Sequence, residues 1–227
     1  MPEVVEVSSS VINLDISIAY VTCSNISIVK EYPNRTELFN NITREILSKY
    51  NINSLKDHSI IRAYRGIMWR LGIDPTKVRP SNEALIRRVL KGKPIPYINN
   101  VVDACNLASI LYLVPISVFD LDKIRIPLIF RKSRRGEKFI DLTGSIRELS
   151  GSELVVADSL GNILHLYPHR DSKIACITNS TRNIIAISYG APDVDISRLR
   201  NSLTKFIELL STTIKDLKCS NIKLIIP

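Results

Sequence analysis

The spacing of apolar residues changes along this chain, and that change most narrows the folds open to it. After one early strand at 16–21, apolar residues recur every three or four positions up to residue 112, which predicts helices. Beyond Pro115 they fall in short β-branched and aromatic runs typical of strands, and a helical stripe returns after Ser197. This order predicts an α+β fold, with a mixed, largely antiparallel sheet packed with helices.

Residues that favour helix ends mark the boundaries of these helices. Four hydroxyl-bearing residues stand where N-caps are expected: Thr36, Ser54, Ser81 and Ser197. The segment 100–112 is apolar nearly all round, which predicts a buried helix. Among the strands, the run 153–167 predicts a hairpin that turns at 159–162, and the run 173–178 predicts a further strand.

The length and composition fit one domain without a membrane anchor. With 227 residues, of which 45% are hydrophobic and 23% charged, the chain has enough apolar residues for one sizeable core. We therefore take residues 1–227 as a single domain. No stretch approaches the roughly 18 to 20 apolar residues of a membrane span, and the acidic start carries no targeting signal. The expected location is the cytoplasm.

The four cysteines are predicted to be buried, reduced thiols of a cytosolic protein. Cys23, Cys105, Cys176 and Cys219 form no C-x-x-C pair and have no histidine at metal-ligand spacing. The sequence also lacks the G-x-S-x-G, G-x-x-x-x-G-K-[S/T] and H-E-x-x-H signatures of common hydrolases, nucleotide-binding proteins and metalloproteases. We expect neither a metal nor a cofactor.

Positive charge is concentrated in two segments. Residues 62–93 carry nine Lys and Arg against two acidic residues, and residues 123–138 carry seven against one, whereas the whole chain has a formal charge of only +9. Localised positive potential on a mildly acidic body favours a polyanionic partner, although a solvated surface is the simpler alternative. The residues expected to contact phosphates are Lys77, Arg79, Arg87, Arg88, Arg131 and Arg134.

Two polar clusters interrupt apolar surroundings. The first consists of Asn99, Asn100, Asp103 and Asn106, which punctuate the buried helix. Because buried polar groups need hydrogen-bond partners, these side chains either bond the neighbouring backbone or line a pocket. The second is the run 167–172, Tyr-Pro-His-Arg-Asp-Ser, which is either a solvent loop or part of a site.

Several ordered blocks resemble one known family. They are RGIMWRLGIDPTKVRPSNEALIRRVLKGKPIPYINNVVDACNLASI (65–110), PISVFDLDKI (115–124) and FRKSRRGEKFIDLTG (130–144), followed by ELVVADSLGNI (153–163) and YPHRDSKIACITNSTRNIIAI (167–187). Together they resemble the B3/B4 domain within the beta subunit of phenylalanyl-tRNA synthetase, and more closely its free-standing relatives. The resemblance covers about 64–189, with 1–63 and 190–227 as flanking elements of the same domain.

This resemblance implies an α+β module that acts on aminoacylated tRNA. In the synthetase, the domain hydrolyses tRNA wrongly charged with tyrosine, so the chain is expected to be a deacylase that clears mischarged tRNA in trans. The alternatives are a non-catalytic RNA-binding module and an amino-acid sensor. In the synthetase a histidine commonly stands where this chain has Ser117, and the run 167–172 replaces a Gly-rich loop that holds an editing glutamate.

The resemblance and the two polar clusters together give a hypothesis for the site. The amino acid is expected between the 99–106 helix and the strands that carry Ser117 and the 170–171 crossing, where ester hydrolysis needs mainly an oriented water and oxyanion stabilisation. The predicted catalytic residues are Asn106, Ser117, Arg170 and Asp171. The predicted substrate-binding residues are Asn99, Asn100, Asp103, Asp120 and His169.

Overall fold

The computed structural model describes residues 3–226, and six α-helices and twelve strands lie within them. The helices are α1 (Arg35–Lys49), α2 (Ile52–Asp57), α3 (Ser59–Arg70), α4 (Ser81–Leu90), α5 (Asn100–Tyr112) and α6 (Ile196–Ser211). No helix in this part of the chain is long and apolar enough to cross a membrane.

The strands form two larger sheets and a short ribbon. The strands are β1 (Val5–Val7), β2 (Ile18–Ser24), β3 (Ile116–Asp120), β4 (Leu128–Lys132), β5 (Lys138–Ile140), β6 (Ile146–Glu148), β7 (Leu154–Ala157), β8 (Ile163–Leu166), β9 (Arg170–Asp171), β10 (Ile184–Tyr189), β11 (Lys218–Cys219) and β12 (Lys223–Ile225). The first sheet has the order β1-β4-β7-β8-β9, in which only the β1–β4 pair is parallel. The second has the antiparallel order β11-β2-β10-β3, with β12 also on β2, while β5 and β6 form the ribbon.

These elements confirm the predicted α+β class with largely antiparallel pairing. The β7–β8 hairpin lies where the sequence placed it, but the strands divide between two sheets. The segment 173–178 forms no strand. The N-caps also differ: Asn51 closes a capping box with Ser54, and Asp195 accepts from the backbone N–H of Ser197. The helix expected to begin after Ser54 and to carry the apolar stripe 60–71 is divided into α2 and α3, and α3 is capped by His58, which accepts from the backbone N–H of Ile60. At α6 a carboxylate takes the capping position that the Ser197 hydroxyl was expected to hold.

Helix α5 is the centre of the larger core. It packs against α1, α4, α6 and β3, which explains why its sequence is apolar on nearly every side. Its polar residues are used to fix its N-terminal half. The Asn99 side chain caps the helix by accepting from the backbone N–H groups of Val101 and Val102, at 3.1 and 2.9 Å.

A buried ion pair joins α5 to the start of α1. Asp103 is fully buried, and its Oδ2 accepts from Arg35 Nε at 3.0 Å and from the Tyr32 hydroxyl at 3.1 Å. Its other oxygen accepts from the backbone N–H of Ile98 at 2.8 Å. Since a buried carboxylate needs such partners, this network holds both α1 and the proline-rich link before α5 in place.

The expectation of four reduced cysteines is wrong for two of them. Strand β11 pairs antiparallel with β2, which brings Cys219 directly opposite Cys23, and the two form a disulfide with an Sγ–Sγ distance of 2.09 Å. Cys105 and Cys176 are free thiols. The 196-residue separation of the disulfide partners hid their proximity, because no local spacing signal links them.

We expect Asp103→Ala to destabilise the fold by about 3–5 kcal/mol, because it leaves the buried Arg35 guanidinium without its partner. The measurement is urea unfolding followed by circular dichroism. Glu31→Gln is the matched control, since Glu31 also pairs with Arg35 but its side chain is 89% exposed, and it should cost less than about 1 kcal/mol. Equal effects of the two substitutions would contradict a structural role for Asp103.

Candidate functional site

The hairpin formed by β8 and β9 decides which polar side chains meet. His165 on β8 lies opposite Asp171 on β9, and Leu166 lies opposite Arg170. Because neighbouring residues of a strand point to opposite faces, Arg170 and Asp171 are separated by the sheet although they are adjacent in sequence. A shift in the β7–β8 register leaves Leu164 without a partner on β7. Such a bulge changes the face of the sheet on which the next side chain, His165, lies.

On the inner face, Ser117, His165 and Asp171 form a hydrogen-bonded polar cluster between the two sheets. The Ser117 hydroxyl donates to Asp171 Oδ1 at 2.7 Å. Nδ1 of His165 lies 2.7 Å from the same carboxylate oxygen and 3.1 Å from Ser117 Oγ. Ser117 and His165 are buried, whereas the Asp171 side chain is 37% exposed. The carboxylate is therefore the part of the cluster that solvent reaches.

Tyr189, at the end of β10, completes this cluster. Its ring stacks on His165 with centroids 4.7 Å apart and an interplanar angle of 4°. Burial raises the pKa of Tyr189 well above its usual range, and the Asp171 carboxylate raises it further, so the phenol stays protonated. The Tyr189 hydroxyl and His165 Nε2 have no aligned hydrogen-bond partner among residues 3–226, although Ser117 lies close enough to lower the tyrosine pKa.

The cluster differs from a Ser-His-Asp relay. In such a relay the serine and the carboxylate use different imidazole nitrogens, and the histidine removes the serine proton. Here both partners face Nδ1, and the Ser117 proton is donated to Asp171. Ser117 is consequently not arranged as an activated nucleophile. The geometry is instead suited to an oriented carboxylate that holds a water molecule.

On the outer side of the hairpin lies a basic groove of about 430 Å³. Helix α4 is held beside the hairpin because the backbone N–H of Ser81 donates to the carbonyl of Pro168 at 3.0 Å. Seven of the ten residues that line the groove are Lys or Arg, and none is acidic. The lining residues are Lys77, Val78, Arg79, Ala84, Arg87, Arg88, Lys91, Lys93, His169 and Arg170.

Some groove side chains are fixed by hydrogen bonds to neighbouring groups, and others have a buried donor or acceptor without a partner. Glu83 is fully buried and accepts from Arg65 Nη2 at 2.6 Å and from Arg87 Nε at 2.5 Å. Nε of Arg79 and Nδ1 of His169 are buried without a hydrogen-bond partner in the described part of the chain. An anion in the groove would therefore meet positioned cations rather than only flexible side chains.

His169 is a neutral member of the groove. Burial, together with the neighbouring His165, Arg170 and Arg147, lowers its pKa to about 4. The imidazole is therefore uncharged at neutral pH and forms a flat, polar wall. Its depressed pKa also couples the folding stability to pH, because the unfolded chain binds more protons than the folded one below pH 6.5.

The predicted catalytic and substrate-binding residues divide among the polar cluster, the basic groove and positions outside both. Ser117 and Asp171 meet in the polar cluster, whereas His169 and Arg170 line the groove. Asn99 and Asp103 make structural contacts at the start of α5. Three further predicted residues lie outside both sites. Asn100 accepts from the backbone N–H of Val29 at 3.0 Å, and Asp120 accepts from Thr181 Oγ1 at 2.6 Å. Asn106 is half-buried on α5, and its side chain makes no hydrogen bond to the described residues.

The predicted phosphate contacts divide in a similar way. Lys77, Arg79, Arg87 and Arg88 line the groove. Arg131 instead makes a two-pronged ion pair with Glu137, at 2.9 and 2.6 Å, and Arg134 does not line the groove.

Besides the apolar groove residues Val78 and Ala84, four members of these two sites had no role predicted from the sequence. Lys91 and Lys93 complete the groove, and they belong to the basic segment 62–93. His165 belongs to the cluster. It could have been found from the sequence, because a hairpin turn centred on Pro168 places residue 165 opposite residue 171. No sequence signal pointed to Tyr189. Within residues 3–226, no three His, Cys, Asp or Glu side chains are grouped as metal ligands would be.

Comparison with known proteins gives a family match and several relatives. The model of the B3/4 domain family matches residues 63–211, more than half of the chain. The phenylalanine–tRNA ligase beta subunit of Carboxydothermus hydrogenoformans is 43% identical over 96 residues, which cover 42% of this chain and 11% of that subunit. The same subunit from Aquifex aeolicus is 36% identical over 97 residues, covering 43% and 12%. The chain thus spans a small part of these relatives.

A solved structure also aligns over most of the chain. It is an N-terminal fragment of the phenylalanyl-tRNA synthetase beta subunit from Pyrococcus horikoshii, with 15% identity and a TM-score of 0.47, covering 95% of this chain and 49% of that one.

We expect the free energy of unfolding to fall by up to about 3 kcal/mol between pH 6.5 and pH 4, because the neutral His169 must be protonated on unfolding. The pKa of about 4 in the folded protein sets the lower end of this range. Urea unfolding at pH 7 and pH 4.5 measures the change. His169→Asn should show a smaller difference between the two pH values, and an unchanged difference would assign the pH dependence to other groups.

Proposed function

Because this chain belongs to the B3/4 domain family, we propose that it binds aminoacylated tRNA and hydrolyses the aminoacyl ester in trans. The basic groove is the observation that carries this proposal. A cleft with seven cations and no acidic lining residue suits a run of backbone phosphates. The proposed location is the cytoplasm, where the substrate is made.

The position of β9 connects the groove to the polar cluster. Strand β9 is the last strand of its sheet, and the isolated bridge between Asp141 and Ser172 adjoins its end. An RNA strand that follows the rest of this edge would reach both faces of the hairpin. Arg170 lines the groove on one face, and Asp171 lies in the cluster on the other. Phosphates on the outer face and the ester on the inner face are then compatible with a single bound strand.

In the proposed reaction, Asp171 orients the attacking water. Ser117 and His165 hold one carboxylate oxygen, and Oδ2 accepts no hydrogen bond from the described residues. That oxygen is free to accept a proton from a water molecule that attacks the ester carbonyl. The bond between the carbonyl carbon and the ribose oxygen then breaks, and the proton passes from Asp171 to the leaving ribose oxygen. The ester is already activated, so orientation of water and stabilisation of the oxyanion are the main requirements. In this reaction Ser117 is a positioning residue.

Removal of groove lysines should weaken tRNA binding in a salt-dependent way. For Lys91→Ala and Lys93→Ala, we expect the slope of log affinity against log salt to fall by about 0.7–0.9 for each phosphate that the variant no longer neutralises. Fluorescence anisotropy with labelled tRNA over a salt series measures this slope. Lys56→Ala is the control, because Lys56 is exposed on α2 outside the groove. Equal effects of all three variants would argue against the groove.

Asp171→Asn should slow deacylation of mischarged tRNA by a hundredfold or more, since general-base assistance contributes about 10²–10⁴ in rate. Ser117→Ala should lower the rate by about tenfold or less, because it removes one hydrogen bond that positions the carboxylate. Release of labelled amino acid from a panel of mischarged tRNAs is measured, with tRNA affinity as the control for folding. A larger decrease in Ser117→Ala than in Asp171→Asn would instead make Ser117 the nucleophile.

Measurements on the same panel of mischarged tRNAs distinguish a deacylase from a binding module and from an amino-acid sensor. A binding module that kept the fold without the chemistry would retain salt-dependent tRNA affinity and release no amino acid. An amino-acid sensor would be stabilised against heat by a free amino acid and would ignore tRNA. The arrangement of Ser117, whose proton is donated to Asp171, is the observation that favours a binding module as the second candidate.

A further inference from the structure

A smaller cavity of about 150 Å³ adjoins the basic groove. Both cavities are lined by Val78, His169 and Arg170, so they are adjacent. The smaller one is also lined by Phe139, Asp141, Ser145, Arg147 and Leu166. Four of these residues come from the β5–β6 ribbon or its turn: Phe139, Asp141, Ser145 and Arg147. Phosphate binding and ester hydrolysis leave this pocket without a role.

The chemistry of the lining changes where the groove meets this pocket. Phe139 and Leu166 are each 1% exposed and supply an apolar floor. The neutral ring of His169 and the side chain of Arg170 line both the pocket and the groove. Unlike the groove, the pocket contains a carboxylate, which disfavours a phosphate inside it.

Asp141 presents one acceptor oxygen that the fold leaves nearly unused. Its Oδ1 accepts from the backbone N–H and hydroxyl of Thr143, at 2.9 and 2.6 Å, and from the backbone N–H of Ser145 at 3.0 Å. These bonds lower its pKa, so the group is an ionised acceptor at neutral pH. Its Oδ2 has one distant neighbour among the described residues, Arg170 Nη1 at 3.5 Å.

We propose that this pocket receives one unpaired base of a nucleic acid strand whose phosphates lie in the basic groove, and that Asp141 Oδ2 accepts from an exocyclic amino group of that base. The proposal rests on the proposed function, because it takes the polyanion in the groove to be RNA. A planar, largely apolar group with a donor edge matches the floor, the flat wall and the acceptor. Bases in single strands are commonly recognised by stacking together with hydrogen bonds to their edges.

The first experiment compares two RNA hairpins that share one duplex, using fluorescence anisotropy with the full chain at a fixed salt concentration. One hairpin ends in an unpaired 3′ extension that terminates in adenosine, and the other is blunt. The extended hairpin should bind about tenfold more tightly, the scale of one stacked base. Ser145→Trp fills the pocket from an exposed position and should abolish this advantage. Leu142→Trp, exposed in the same turn but outside both cavities, should preserve it.

A second experiment tests the acceptor. Replacing the terminal adenosine by purine ribonucleoside removes only the amino group and should cost the wild-type protein about tenfold in affinity, the scale of a hydrogen bond to a charged acceptor. Asp141→Asn should remove this discrimination. Its carboxamide oxygen can still accept the three turn bonds, while its nitrogen presents a donor to the pocket.

Four outcomes would overturn the proposal. If the two hairpins bind equally and in a salt-dependent way, the pocket does not bind a base, and the groove alone is the RNA site. An advantage that survives Ser145→Trp would place the base elsewhere. Thermal stabilisation by free tyrosine that Ser145→Trp abolishes would make the pocket an amino-acid site. If neither RNA binds, the proposed function is wrong together with this inference.

Discussion

The alternation of side chains along the two residues of β9 is the constraint on which both polar sites depend. Arg170 and Asp171 carry opposite charges and are neighbours in sequence, yet the strand sends one to the groove and the other to the buried cluster. If this segment were a loop, the two side chains could pair with each other and neutralise both sites. The pairing of β9 with β8 prevents this, because it fixes the faces on which the two residues lie.

Most of the fold was predictable because local pattern decided it. The apolar stripes of α1, α3 and α6 and the β7–β8 turn depend on neighbours in sequence, and those elements lie where the period of the apolar residues placed them. The division of strands between two sheets was not predictable, since it depends on pairings such as β1 with β4, about 120 residues apart. The Cys23–Cys219 disulfide was not predictable for the same reason, because its partners are 196 residues apart.

The candidate site was predictable only in part, and the buried helix shows why. Asn99, Asn100, Asp103 and Asn106 share polarity on an apolar helix, so sequence alone left a structural and a pocket role open. What separates the first three is the partner that each side chain meets: backbone N–H groups of α5, the backbone N–H of Val29, or Arg35. The Asn106 side chain has no hydrogen-bond partner among the described residues. Arg131 shows the same limit, because nothing in its basic surroundings revealed that Glu137 would hold it.

The electrostatics of the groove argue that it is a binding surface and not only a solvated face. Lys77, Lys91 and Lys93 line it without an ion pair in the described chain, and like charges brought together destabilise the folded state. The buried Glu83 offsets part of this repulsion for Arg87 and Arg65, which it holds by charge-assisted hydrogen bonds. A face that served solubility alone would intersperse acidic residues, as soluble surfaces do. Since phosphates would relieve the remaining repulsion, a polyanion should bind the folded state and stabilise it, which is the thermodynamic behaviour of a site.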